Sequence, residues 1–254
     1  MGQIIAVINQ KGGVAKTTTV INLADGLVRE GKRVLVVDLD PQGNATSGLG
    51  IKRRELEKSV YHLLFGEENA EDIILQTDFG ELYVLPADID LAGAELELVM
   101  LEERERRLLK GLQYVAPCFD YVLIDCPPSL GLLTLNALTA ADSIIIPVQA
   151  EYYALEGLQQ LFGTFMKVRQ SMNPSLAILG VVLTMYDGRV NLSAQVVDQV
   201  KEHFGDLVFE VLIPRNVRLS EAPSHGMPIS YYDRRSKGAE AYARLAELVI
   251  ERTT

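Results

Sequence analysis

Apolar residues fall in short, nearly unbroken runs separated by longer stretches in which they recur every three or four positions. The runs IIAVIN (4–9), RVLVVDLD (33–40), YVLIDCPP (121–128), SIIIPV (143–148), AILGVVLTM (177–185) and LVFEVLIP (207–214) lack polar alternation. Such runs predict strands buried on both faces, as in a parallel sheet. Between them, TTTVINLADGLVREG (17–31) reads as a helix closed by Gly31, and LEGLQQLFGTFMKVRQSM (155–172) as one stopped by Asn173-Pro174. LSAQVVDQVKEHFG (192–205) ends at a glycine suited to a left-handed cap, and ELELVMLEERERRLLKGLQYV (95–115) reads as a long helix with a solvated charged face. Strands alternating with helices, joined by right-handed crossovers, predict an α/β fold: a three-layer, doubly wound, mostly parallel sheet with helices on both faces. No repeat, low-complexity tract or linker divides the 254 residues, so one domain spanning 1–254 is expected.

Composition narrows the class. No apolar run reaches the roughly 18 residues that span a bilayer, and the N-terminus has no secretory pattern, so a cytoplasmic protein without a membrane association is expected. Cys118 and Cys126 flank one predicted strand and would lie more than about 20 Å apart, which fits buried, inert thiols rather than a shared metal cluster. His62, His203 and His225 show no metal-ligand spacing. The net charge of −10 excludes a molecule coated in positive charge for nucleic acid, although residues 212–240 carry +2 against −12 elsewhere.

Candidate chemistry begins directly after the first strand. In Lys11-Gly12-Gly13-Val14-Ala15-Lys16-Thr17-Thr18 the ordinary phosphate-loop glycines are replaced by Gln10 and Ala15. Gly12 and Gly13 still let the backbone turn its amides toward an anion, and the next helix presents its positive end. Lys16 can reach the β- and γ-phosphates of a nucleotide, and the Thr17 hydroxyl can ligate Mg²⁺. Asp38 and Asp40 close the second apolar run and Asp125 closes the third, where carboxyl ends of parallel strands face a ligand crevice. Acids placed there can orient a metal's waters and polarise an attacking one.

KGGVAKTT with its leading lysine resembles the deviant phosphate loop of the ParA/MinD ATPases. VDLDPQGNATSGLG (37–50), DYVLIDCPPSLGLLTLNAL (120–138) and IPRNVRLSEAPSHGMPI (213–229) resemble the ParA/Soj chromosome-partition proteins in particular, through nearly the whole chain. The resemblance implies the P-loop NTPase fold and ATP and Mg²⁺ as cofactors. It implies that Lys11 crosses to the phosphates of a second subunit, and that Lys16, Thr17 and Thr18 act within one. It implies too that Asp40 serves hydrolysis, that Asp38, Asp40 and Asp125 support the metal and its water with Thr17, and that Pro214, Arg215 and Asn216 line the adenine. Family members more often carry glycine where this chain has Ala15. The resemblance further implies slow hydrolysis, an ATP-dependent homodimer, sequence-nonspecific binding of double-stranded DNA through Arg189 and Arg218, nucleoid association when ATP is bound, and stimulation by a ParB-type centromere-binding protein. Two other readings stay open: a MinD-like membrane-positioning ATPase, which the acidic end AEAYARLAELVIERTT disfavours as a lipid anchor, and an ATP-dependent metabolic ligase.

Overall fold

The computed structural model describes residues 2–151 and 156–254; Leu155, the first residue of one expected helix, lies outside them. The strands are β1 (Gln3–Val7), β2 (Val34–Asp38), β3 (Leu75–Gln76), β4 (Leu82–Leu85), β5 (Tyr121–Asp125), β6 (Ser143–Gln149), β7 (Ala177–Tyr186) and β8 (Val208–Pro214). The α-helices are α1 (Lys16–Arg29), α2 (Asn44–Gly48), α3 (Val60–Phe65), α4 (Leu91–Leu98), α5 (Arg107–Leu112), α6 (Leu132–Ala140), α7 (Glu156–Ser171), α8 (Asn191–Phe204), α9 (Val217–Glu221), α10 (Ile229–Tyr232) and α11 (Lys237–Thr253). All strands join one sheet in the order β3-β4-β2-β5-β1-β6-β7-β8, parallel throughout except for β3.

Because successive side chains of a strand point to opposite faces, each apolar run serves two cores. Ile4 and Ala6 of β1 and Leu35 and Val37 of β2 pack with Leu63, Leu108, Leu138 and Leu161, on the face covered by α3 to α8. Ile5, Val7, Val34 and Val36 pack on the opposite face with Val20, Leu27, Leu219, Tyr242 and Leu245, under α1, α2 and α9 to α11. On that second face α1 and α11 approach closely at Gly26, where an added Cβ would stand 2.8 Å from the Ala246 Cβ. The Tyr242 hydroxyl meets Thr19 Oγ1 at 3.2 Å, so this buried ring leaves no polar atom stranded. The apolar face of α11 is thereby buried in the core. Among the described residues, no helix is long and apolar enough to cross a membrane.

Several expectations change. The continuous helix expected over 95–115 is two helices, α4 and α5, with a break in which Glu103 has φ +50°. The buried Asn136 of α6 stabilises that break: its amide donates to the Arg104 carbonyl at 2.7 Å, and its Oδ1 accepts the Leu108 N–H at 3.1 Å. A tertiary contact thus replaces the helical bonds that a run of good helix formers would otherwise make. Residues LYVL form β4, a strand the apolar runs did not single out because it has only four residues. Cys118 is exposed, since it sits in a short 3₁₀ turn before β5, whereas Cys126 is buried as expected. Gly205 after α8 has φ +52° and ψ −127°, so the helix ends on a glycine but not in the left-handed cap geometry.

Candidate functional site

Three adjacent central strands end together. In the β1–β5 register Val7 lies beside Asp125, and in the β2–β5 register Asp38 lies beside Asp125. The glycine loop that follows β1 therefore opens next to both carboxylates. Neighbouring strand ends tie the loop down. Asn9 accepts the Lys11 N–H on its Oδ1 at 3.0 Å and donates to the Pro147 carbonyl at 2.8 Å, while Thr184 at the end of β7 donates to the Val14 carbonyl at 3.1 Å. Neither Asn9 nor Thr184 was singled out from the sequence, although Asn9 two residues before Lys11 has the spacing of a side-chain turn.

Within the loop, Gly13 has φ +74° and Ala15 φ +68°, the latter in the left-handed region at the N-cap of α1. A left-handed alanine costs about 1–2 kcal/mol, and a glycine there would lose part of that gain to its greater freedom when unfolded. Ala15→Gly is accordingly expected to stabilise the nucleotide-free protein by about 0.5 kcal/mol, or roughly 1–2 °C by scanning calorimetry; a lower melting temperature would contradict it.

Lys16, the first residue of α1, is buried, and its ammonium donates to the Lys11 carbonyl at 3.1 Å. Burial lowers its pKa, against the pull of Asp125, Cys126 and Asp40. Thr17 and Thr18 occupy the first turn behind it, and no side chain caps the N-terminus of α1. Lys11 is only half-buried, and among the described residues its ammonium has no partner.

The carboxylates differ sharply in what they touch. Asp125 is fully buried, and among the described residues neither of its oxygens has a hydrogen-bond partner of ordinary geometry. Burial and the neighbouring Asp38 push its pKa well above the usual carboxylate range, against weaker pulls from Thr17 and Lys16. Asp38 is also pushed up, to about 6, by burial, but its oxygens are occupied. They accept the Thr46 hydroxyl at 2.7 Å, the Thr46 N–H at 2.8 Å and the Asp40 N–H at 3.2 Å. Asp38 thus organises the segment carrying Asp40, and Thr46 is a contributor that sequence reasoning passed over. Asp40 lies in a turn, its Oδ1 accepting the Gln42 N–H at 2.9 Å.

Orphaned buried oxygens mark where a cation fits, because an unpartnered buried polar atom is costly. Among the described residues no cluster of three or more His, Cys, Asp or Glu could hold a metal alone. A hydrated Mg²⁺ carried by nucleotide phosphates suits this arrangement, since that ion keeps several waters and needs one or two protein oxygens.

The remaining expected residues lie at the same end of the sheet. Pro214 closes β8, the Arg215 N–H donates to the Tyr186 carbonyl at 2.9 Å, and Asn216 caps α9 by accepting the Arg218 N–H at 2.8 Å. Arg189 follows β7 and is exposed. Its fork grips Asp187 at 2.9 and 2.7 Å, which holds that carboxyl down at about 2. Arg218 pairs with Glu221 at 2.9 Å and lies 3.6 Å from Asp233. Both arginines are thus committed to local acids, though such exposed pairs are weak and exchangeable.

A phosphate loop after β1 of a doubly wound sheet, with carboxylates ending β5 beside it and β2 beyond that, defines a P-loop NTPase. Residues 2–178 match the AAA domain family, and the chain is 59% identical over 249 residues to the sporulation initiation inhibitor protein Soj of Bacillus subtilis (strain 168), with 98% of each chain covered. The chain belongs to the ParA/Soj family of P-loop ATPases. It is also 53% identical over 254 residues to the chromosome partitioning protein ParA of Myxococcus xanthus (strain DK1622), covering 100% of this chain and 90% of that protein. Among solved structures it resembles cobyrinic acid a,c-diamide synthase from Mycobacterium smegmatis with bound ADP and magnesium: TM-score 0.87, 42% identity, 99% of this chain and 95% of that one.

Proposed function

We propose that this protein is an ATP-driven switch for chromosome or plasmid segregation. Two ATP-loaded copies close face to face, the dimer binds duplex DNA without reading its sequence, and a ParB-type partner triggers the slow hydrolysis that separates them. The observation that carries this reading is Lys11: a half-buried cation, without a partner among the described residues, at the rim of a loop that already has its own buried lysine. A second triphosphate brought close by a second copy would give it a counter-charge. The γ-phosphate carries the charge that distinguishes ATP from ADP, so the closed state is favoured only before hydrolysis.

Within one subunit, the loop amides and the positive end of α1 receive the phosphates and Lys16 moves from the Lys11 carbonyl onto them. Thr17 and Asp125 would hold Mg²⁺ and its waters, and the ion would offset charge building on the transferred phosphoryl group. Asp40 would accept a hydrogen bond from the attacking water, with Asp38 fixing the segment that carries it. Pro214, Arg215 and Asn216 would border the adenine. Arg189 and Arg218 would exchange their acidic partners for DNA phosphates, giving contacts doubled in a dimer and strongly weakened by salt. The protein would then reside in the cytoplasm and gather on the nucleoid when ATP-bound.

The decisive measurement is the ATPase rate with duplex DNA and a ParB-type partner, separately and together. Strong synergy that vanishes in Asp40→Ala is expected, together with reduced DNA retention in Arg218→Glu. A high rate with neither present, or one that depends on a small carboxylate acceptor as in a ligase, would overturn the reading.

A further inference from the structure

Arg53 stands just outside the turn that carries Asp40, at the start of the 3₁₀ turn Arg53–Glu55. It is half-buried, and its guanidinium donates to three backbone carbonyls: Pro41 at 2.9 Å, Gln42 at 2.5 Å and Ala87 at 3.4 Å. Among the described residues it forms no ion pair with a carboxylate. An arginine fork closed on carbonyls fixes their relative positions, because its donors lie in one rigid plane.

The grip is part of a closed ring of contacts. Asp38 accepts the Asp40 N–H and both donors of Thr46, and Thr46 Oγ1 in turn accepts the Ala87 N–H at 3.0 Å. Ala87 offers its carbonyl to Arg53, which closes on Pro41 and Gln42, the two residues after Asp40. The turn's own bonds, Gly43 N–H to the Asp40 carbonyl at 2.8 Å and Gln42 N–H to the Asp40 carboxylate, complete it. Gly43 has φ +61°, and a Cβ there would come within 2.2 Å of Arg53 Nε. The turn and the guanidinium are thus fitted to one another, and Asp38 is bonded to the turn directly and to the guanidinium only through Thr46 and Ala87.

We infer that Arg53 is a positioning residue for hydrolysis, holding the Pro41–Gln42 backbone so that the Asp40 carboxylate is presented to the attacking water. The inference rests on the assignment of Asp40 as the hydrolytic acid. The donors of Arg53 are spent on the Pro41, Gln42 and Ala87 carbonyls, so its removal is expected to affect turnover rather than nucleotide affinity. A carboxylate displaced by about 1 Å costs roughly 10²-fold in rate.

The test measures kcat, KM, the equilibrium Kd for Mg·ATP, melting temperature and amide exchange at Gln42 and Gly43, in wild type, Arg53→Ala, Arg53→Lys and Asp40→Ala. Arg53→Ala is expected to lose roughly 10²-fold in kcat, with KM and Kd within about 3-fold and exchange at Gln42 and Gly43 accelerated. Arg53→Lys, which keeps the charge and stem but presents a single nitrogen, is expected to lose about 10-fold. It also keeps the inference testable should the alanine variant not fold. A kcat unchanged in Arg53→Lys and Arg53→Ala overturns the inference, as does a parallel loss of kcat, Kd and melting temperature, which would mark a purely structural clasp. If Asp40→Ala turns over like wild type, the assignment of Asp40 fails instead, and the two failures are separately visible.

Discussion

Asp125→Asn is expected to raise the melting temperature of the nucleotide-free protein in chelator, and to abolish the additional stabilisation that Mg²⁺ confers on the ATP-bound form. The first effect follows from a buried carboxyl that, among the described residues, has no hydrogen-bond partner of ordinary geometry and lies beside a second buried carboxyl, Asp38. Both have folded pKa values above their unfolded ones, Asp38 at about 6 and Asp125 well above the usual range. The folded protein therefore holds protons that the unfolded chain has released, and its stability falls as pH rises from about 4 through 6 and beyond. Asparagine at 125 removes one of these groups and relieves the other. The advantage of the variant should be small at pH 4 and grow toward neutrality. The second effect follows because the orphaned oxygens are where the hydrated ion would bind. A ligand at 100 times its Kd stabilises by about 2.7 kcal/mol, so roughly 5–10 °C of Mg·ATP-dependent shift is at stake. A variant that melts lower than wild type at pH 7, or keeps the full shift, would exclude this account of Asp125.

The two lysines of the loop are expected to fail differently. Lys16 is buried at the start of α1, where the proposed site would receive the phosphates, and charged hydrogen bonds contribute about 1.5–3 kcal/mol each. Lys16→Ala should weaken ADP and ATP alike by roughly 10²-fold, measured by calorimetric titration. Lys11→Ala removes an ammonium that has no partner among the described residues of its own subunit, so ADP affinity should stay within about 3-fold. What it should lose is the ATP-induced doubling of mass seen by light scattering. Equal losses of ADP affinity in the two variants would place Lys11 in its own subunit's site and remove the main support for a shared one.

Much of this architecture was readable from the chain because it is local. Unbroken apolar runs such as those holding Ile5, Val36 and Leu123 are what a strand buried on both faces requires, and the helix after the glycine loop begins where its pattern starts. Features that depend on a distant partner were not readable. Asn136 interrupts a segment whose composition favours a continuous helix, and LYVL becomes β4 by pairing with β2. The exposure of Cys118 follows from a turn that its apolar surroundings concealed.

The site divides along the same line. The spacing from Lys11 to Thr18 is a property of consecutive residues, and it marks a phosphate cradle before any fold is known. Strands joined by crossovers, however, take their neighbours from the packing of two helical layers, so nothing near Asp38 or Asp125 in the chain announces that they adjoin. Folding places them side by side, leaves Asp125 without a hydrogen bond of ordinary geometry among the described residues, occupies Asp38 with Thr46, and lays Arg53 across the turn that follows Asp40. Three acids that look alike in sequence thereby acquire three environments, because burial and hydrogen-bond partners are set by contacts between residues far apart along the chain.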